Sequence, residues 1–278
     1  MINGETTLIA HLGYPTAAFK APMIYNPYFR EVGVNAIVVP MGVRADDYES
    51  LLRPLFRVTN MRGALITMPL KVKTAALLDD VSVAVKVAGS CNAIVRREDG
   101  TLFGDIFDGE GFLRAVTRKS GSQAGKRVLI VGNGGVGSAI AASFAGAGAE
   151  TIGLFDINGE SVSQLAHRLR SHYPKVKIRT GSNEPTGYDV VVNATPLGMA
   201  PGDPMPIDVD RISPSTLVGE VVMKHEITAF LRAAKDKGCQ VQVGLDMLFE
   251  QIPAYLEFFG FPTATPDELR AVAEIKYR

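Results

Sequence analysis

The sequence predicts an α/β protein of two domains, each a sheet covered by helices. Three observations lead there. Short apolar runs alternate with longer amphipathic runs along nearly the whole chain, the pattern of βαβ units on a mainly parallel sheet. The alternation restarts near Gly109 with runs of continuous apolar character, as expected of strands buried on both faces. The 278 residues exceed one ordinary domain, for which about 150 is the prior.

In the first series, TLIAHL, NAIVVP, GALITM and CNAIVRR read as strands. PMIYNPYFREV, DDYESLLRPLF and LKVKTAALLDD read as helices. The Asp-Gly pair in REDGTLFG separates two strand-like runs, so a hairpin and an antiparallel strand pair are expected there. In the second series, RVLIVG, ETIGLFDIN, KVKIRT, DVVVNAT and STLVGEVVM read as strands. GVGSAIAASFAGAG, ESVSQLAHRLRSHY and EITAFLRAAKDKG read as helices. GLDMLFEQIPAYLEFFG and TPDELRAVAEIKY close the chain as two more. LGMAPGDPMPID is a Pro- and Gly-rich loop.

VLIVGNGGVGSA holds Gly132, Gly134 and Gly137 in G-x-G-x-x-G spacing between a strand and a helix, the context that gives this motif meaning. The first glycine permits the tight turn, the second lets the backbone approach a pyrophosphate, and the third lets helix pack on strand. Asn133, Gly135 and Val136 complete the turn. The pyrophosphate would rest on the helix N-terminus. Asp156 ends the next strand, where an acid accepts hydrogen bonds from the adenosine ribose of NAD and repels the 2′-phosphate of NADP. Neither Ile157 nor Asn158 supplies an arginine for that phosphate. The second domain is therefore expected to be a Rossmann domain, with NAD favoured over NADP.

Composition excludes several other functions. Lysines plus arginines equal acids, 29 against 29, so no strong field draws nucleic acid or an anionic membrane. The N-terminus carries Glu5 and no basic stretch, and no run approaches a bilayer span. Cys91 and Cys239 are too few for a disulfide framework, and His11, His167, His172 and His225 lack metal-ligand spacing. A cytoplasmic protein without a bound metal is expected, with a small molecule as partner and a homodimer as the other candidate association.

Lys71 follows Pro69 within a helix start, where a lysine is electrostatically disfavoured and so needs a partner or a task. Asp108 opens another helix, where an acid is favourable. Together such a pair can move the proton of a hydroxyl while a dinucleotide takes the hydride.

With these residues in place the chain resembles the shikimate dehydrogenase family along nearly its whole length. GALITMPLK resembles that family's G-x-N-V-T-x-P-x-K, which implies a catalytic Lys71 and a substrate-binding Thr67. AGSCNAIV resembles G-A-V-N-T and implies that Asn92 binds substrate. GDIFDGEGF resembles G-x-N-T-D-G-x-G-F and implies a catalytic Asp108. NATPLGM resembles N-A-T-S-x-G-M, putting Thr195 and Met199 at the nicotinamide. GLDMLFEQ resembles G-x-x-M-L-x-x-Q, with Gly244 toward the cofactor and Gln251 toward substrate. The resemblance implies a mixed-sheet substrate domain at 1–108 plus 246–278, its last helices returning to it, and a Rossmann domain at 109–245.

The departures fall together. In the family the stretch GYPTAAFKAPMIYN would read G-x-P-I-x-H-S-x-S-P-x-x-H-N, with two serines holding the shikimate carboxylate; here they are Phe19 and Ala21. The family's asparagine of the lysine motif is Leu65, the asparagine before the catalytic aspartate is Ile106, and a tyrosine before the C-terminal helices is Met223. The reacting end is kept while the carboxylate end has lost its hydroxyls. The expectation is an NAD-dependent oxidoreductase acting on a ring hydroxyl of shikimate, quinate or a related cyclic polyol, with weak or absent activity on shikimate itself. An NAD-binding sensor that kept the fold without turnover is the alternative.

Overall fold

A computed structural model describes residues 2–275, and for Ala18 the backbone alone. The chain divides into two compact units, one of residues 1–85, 89–107 and 252–278, the other of 86–88 and 108–251.

The first unit holds β1 (Thr7–Gly13), α1 (Pro22–Glu31), β2 (Ala36–Gly42), α2 (Ala45–Leu55), β3 (Met61–Ile66) and α3 (Lys71–Ala75). It continues with β4 (Asp80–Val81), the start of α4 (Val83–Ala88), β5 (Ala93–Arg96) and β6 (Leu102–Asp105). Its sheet runs β2-β1-β3-β5-β6-β4. β1 pairs in parallel with β2 and β3, whereas β5 is antiparallel to both β3 and β6, which is the hairpin the Asp-Gly pair predicts. Ile9, Leu12, Ile24, Phe29, Val38, Tyr48 and Leu52 are among its buried core. Asn26 docks α1 on the edge strand, its amide donating to the Val38 carbonyl (3.0 Å) and accepting from the Val38 N–H (2.7 Å).

The second unit follows with α5 (Asp108–Ser120), β7 (Arg127–Val131), α6 (Gly135–Gly146), β8 (Thr151–Phe155), α7 (Gly159–His172), β9 (Lys177–Thr180) and β10 (Val190–Asn193). Then come β11 (Leu217–Glu220), α8 (Ala229–Asp236), β12 (Gln240–Gln242) and α9 (Gly244–Phe259), and the chain ends in α10 (Pro266–Val272). The sheet order β12-β11-β10-β7-β8-β9 is wholly parallel and doubly wound. Its strand order reverses between β7 and β10, where ligands bind in such sheets. Alternate strand residues feed two cores: Val128, Ile130, Ile152 and Val192 on one face, Leu129, Val131, Val191 and Val218 on the other. Burial on both faces is why these strands read as unbroken apolar runs.

Several elements differ from expectation. The run 70–80 forms a helix only over Lys71–Ala75, and Pro69 precedes it rather than sitting in its first turn. Helix α4 and the short strands β4 and β12 were not expected; VAVKVA carries no helical periodicity, and it is the Ser82 hydroxyl, accepting from the Val85 N–H, that starts α4. The final helix stops at Val272, and its expected end at Lys276 and Tyr277 lies outside the described residues. Residues 246–251 and Asp108, placed by the resemblance with the first domain, pack with the second unit. Met247 joins the core of Phe112 and Ile140, and a Cβ on Gly111 would stand 2.6 Å from Gln251 Cβ.

Candidate active site

The turn after β1 has no room for side chains over Gly13, where a Cβ would meet Thr67 Cγ2 at 2.4 Å and Phe19 Cζ at 3.1 Å. The tip of the Phe19 ring reaches this same point, and the ring stacks on His11 with centroids 4.1 Å apart and planes 28° from parallel. Ala21 is buried at the N-cap of α1 and offers no side-chain cap. At the positions of the two family serines the first unit thus presents a ring and a methyl group.

His11 was not singled out by the sequence, and the structure makes it part of this site. It shares a face of β1 with Gly13 by strand alternation, and it pairs in register with Leu65 of β3. It is 7 % exposed, and its Nδ1 has no hydrogen-bond partner among the described residues. Burial, and then the positive charge of Lys71, push its pKa down to about 3, so it is neutral at physiological pH.

Lys71 begins α3, and its carbonyl accepts from the Cys91 N–H (2.9 Å). Asn92 is held on several sides. Its N–H donates to the Asp105 carbonyl (3.0 Å), its carbonyl accepts from the Ile66 N–H (2.8 Å), and its Oδ1 accepts from the Phe107 N–H (3.0 Å). What remains is Nδ2, buried and without a partner among the described residues, a donor left for a ligand. Tyr255 of α9 has its hydroxyl 3.4 Å from the Asn92 carbonyl and its ring 4.7 Å from that of Phe107. It braces the Asn92 backbone, a contact that the apolar neighbours of Tyr255 in the sequence do not announce. Cys91 is no nucleophile: it is fully buried, and burial pushes its thiol up to about 12.

Thr67, Lys71 and Asn92 therefore lie in the first unit. Asp108 and Gln251 belong to the second, where Asp108 is the buried first residue of α5 and Gln251 is buried with its Oε1 unpartnered among the described residues.

The glycine-rich turn fits a dinucleotide. Gly132 has φ +97°, and a Cβ there would strike the Ala194 carbonyl carbon at 2.6 Å. At Gly137 a Cβ would stand 1.9 Å from the Gly132 carbonyl oxygen. Gly134, the N-cap of α6, has open space above it, where a pyrophosphate can approach. Gly135 and Val136 open the helix, and the buried Asn133 amide has neither Oδ1 nor Nδ2 partnered among the described residues. Asp156 braces the turn by accepting from the Asn133 N–H (2.6 Å) and the Asn158 N–H (2.9 Å). Thr195 is tied to Asn193 through its hydroxyl (2.6 Å), Met199 is exposed, and Gly244 is needed because a Cβ would stand 2.3 Å from the Val222 carbonyl oxygen. Among the described residues no helix is long and apolar enough to cross a membrane, and no cluster of His, Cys, Asp and Glu could hold a metal ion.

These features define an oxidoreductase with a Rossmann-type dinucleotide unit. Residues 12–94 match the shikimate dehydrogenase substrate binding domain. A shikimate dehydrogenase (NADP(+)) of Rubrobacter xylanophilus is 33% identical over 264 residues, 93% of each chain. Shikimate 5-dehydrogenase from Listeria monocytogenes, solved in complex with shikimate and NAD, superposes with a TM-score of 0.90 at 26% identity, over 98% of this chain and 97% of that one. Ligand-free 5-ketofructose reductase of Gluconobacter sp. strain CHM43 superposes with a TM-score of 0.88 at 26% identity, over 97% and 98%. The chain belongs to the shikimate dehydrogenase family.

Proposed function

We propose that this protein catalyses reversible hydride transfer between a ring hydroxyl, or the matching ketone, of a cyclic polyol and a nicotinamide dinucleotide. NAD is preferred, and the substrate lacks a carboxylate at the altered turn. The observation that carries this is the Phe19–His11 stack in place of hydroxyl donors, beside a retained set of Lys71, Thr67 and Asn92 in the same unit.

Lys71 and Asp108 share the proton of the reacting hydroxyl. Asn92 Nδ2, Thr67 and Gln251 hold ring hydroxyls; the buried unpartnered atoms of Asn92 and Gln251 support this, since such groups are normally satisfied. The nicotinamide, when bound, accepts or returns the hydride. Asp156 supports the NAD preference through its negative charge at the strand end, although the Rubrobacter relative is named for NADP(+).

A carboxylate set against Phe19 and Ala21 loses two charge-assisted hydrogen bonds, worth about 1.5–3 kcal/mol each. A substrate such as the 5-ketofructose for which the Gluconobacter neighbour is named carries no carboxylate and escapes that loss. The test measures initial rates with NAD plus shikimate, NAD plus quinate, and NADH plus 5-ketofructose, with Lys71→Ala as control. The expected result is faster turnover of 5-ketofructose than of either acid, lowered about 10²–10⁴-fold by Lys71→Ala, with NAD affinity unchanged in that variant. Robust shikimate turnover would overturn the substrate class. Tight NAD binding without turnover of any of the three would point instead to a sensor. Dissociation constants for NAD and NADP check the cofactor preference separately.

A further inference from the structure

We infer that His11 is a specificity-determining residue, hydrogen-bonding a substrate hydroxyl or carbonyl through Nδ1 at the end of the site where the family takes a carboxylate. The inference rests on the oxidoreductase reading above. Its basis is placement. His11 is on the Gly13 face of β1, and the Gly13 position is walled by Thr67 and Phe19. Its register partner on β3 is Leu65, the position of the asparagine in the family's lysine motif. Where that strand carries leucine in place of the family's asparagine, the adjacent strand carries a polar imidazole.

The ring cannot turn freely, because Phe19 stacks on it. Its Nδ1 is buried in a residue 7 % exposed and has no partner among the described residues. A buried polar atom left unsatisfied costs stability, and a ligand that satisfies it recovers that cost on binding. The chemistry also selects the ligand class. An imidazole kept neutral by burial and by the Lys71 charge brings no positive charge to a carboxylate, yet one nitrogen accepts and the other donates to neutral hydroxyls.

Two variants separate hydrogen bonding from packing. His11→Phe keeps an aromatic ring under Phe19 and removes Nδ1. His11→Asn loses the stack but places an amide atom near the Nδ1 position. Each is assayed with 5-ketofructose, shikimate and quinate, and each is checked for folding by thermal melting. For whichever probe the wild type turns over fastest, His11→Phe should raise KM roughly tenfold or more with kcat within about threefold, the size of one lost hydrogen bond to an otherwise unpaired group. His11→Asn should recover most of that loss. An unchanged KM in a folded His11→Phe protein overturns the inference and leaves the oxidoreductase reading intact, as does a His11→Asn protein no better than His11→Phe. No turnover of any probe by the wild type removes the oxidoreductase reading and this inference with it.

Discussion

Phe19 and His11 form a unit that neither residue specifies alone. Because its burial, and then the Lys71 charge, hold the imidazole neutral, with a pKa near 3 against an ordinary value near 6.5, His11 binds fewer protons folded than unfolded below that ordinary value. The stability it contributes is complete above pH 6.5 and is lost as pH falls toward 3. Replacing Phe19 by Ser and Ala21 by Ser should hydrate the imidazole and narrow this window, so urea midpoints at pH 7.5 and 5 should lie closer together than in the wild type; an equal or larger gap would contradict it. The same double variant restores two hydroxyls, so its kcat/KM on shikimate should rise at least roughly tenfold, the worth of one such hydrogen bond. At this scale the sequence revealed the departure at Phe19, because a ring where hydroxyls are expected is visible in one dimension. It could not reveal the partner. His11 lies eight positions earlier on a strand, and only the return of the turn over Gly13 brings the two rings to 4.1 Å. Tyr255 stayed hidden for a related reason, since its apolar neighbours on α9 gave it the signature of core.

Helices and strands were legible where local rules and tertiary packing agree. The turn after β7 is the clearest case: Gly132 and Gly137 are dictated by backbone oxygen and carbon within 3 Å of any added Cβ, so spacing alone betrays them. The short α4 and the truncated α3 were not legible, because helices of 6 and 5 residues have too few turns to show a periodicity. Glycines also mark where helices meet. A Cβ on Gly109 of α5 would stand 2.1 Å from the Ala139 carbonyl oxygen of α6, a rigid backbone atom. Gly109→Ala should therefore force the two helices apart and destabilise the protein by about 1–3 kcal/mol, read as a lowered urea midpoint. A midpoint unchanged or raised, as Gly→Ala in an unhindered helix would give, would show that α5 is not held to α6 at that point.

The division into two units shapes what a ligand can stabilise. The order of the second sheet, with its glycine turn at the reversal between β7 and β10, was foreseeable from βαβ alternation and one motif. The unit boundary was not, because α9 is a single periodic helix whose residues 244–251 belong to one unit and 252–259 to the other. The helix pattern continues across Pro253, and only the contacts of Met247 and Gln251 with α5 assign its first half. This gives a whole-molecule expectation for hydrogen exchange. Every residue assigned here to the dinucleotide, from Gly132 through Asp156 to Gly244, lies in the second unit. NAD at 100 times its dissociation constant stabilises whatever it binds by about 2.7 kcal/mol. In the absence of substrate, core amides of β7, β8 and β10 should slow by up to about 100-fold on adding NAD. Those of β1, β3 and β5 should change little, because none of the candidate dinucleotide residues lies in their unit. Equal slowing in both groups would mean that the two units open as one cooperative body, and that the sheet of the first unit shares the stability NAD confers on the second.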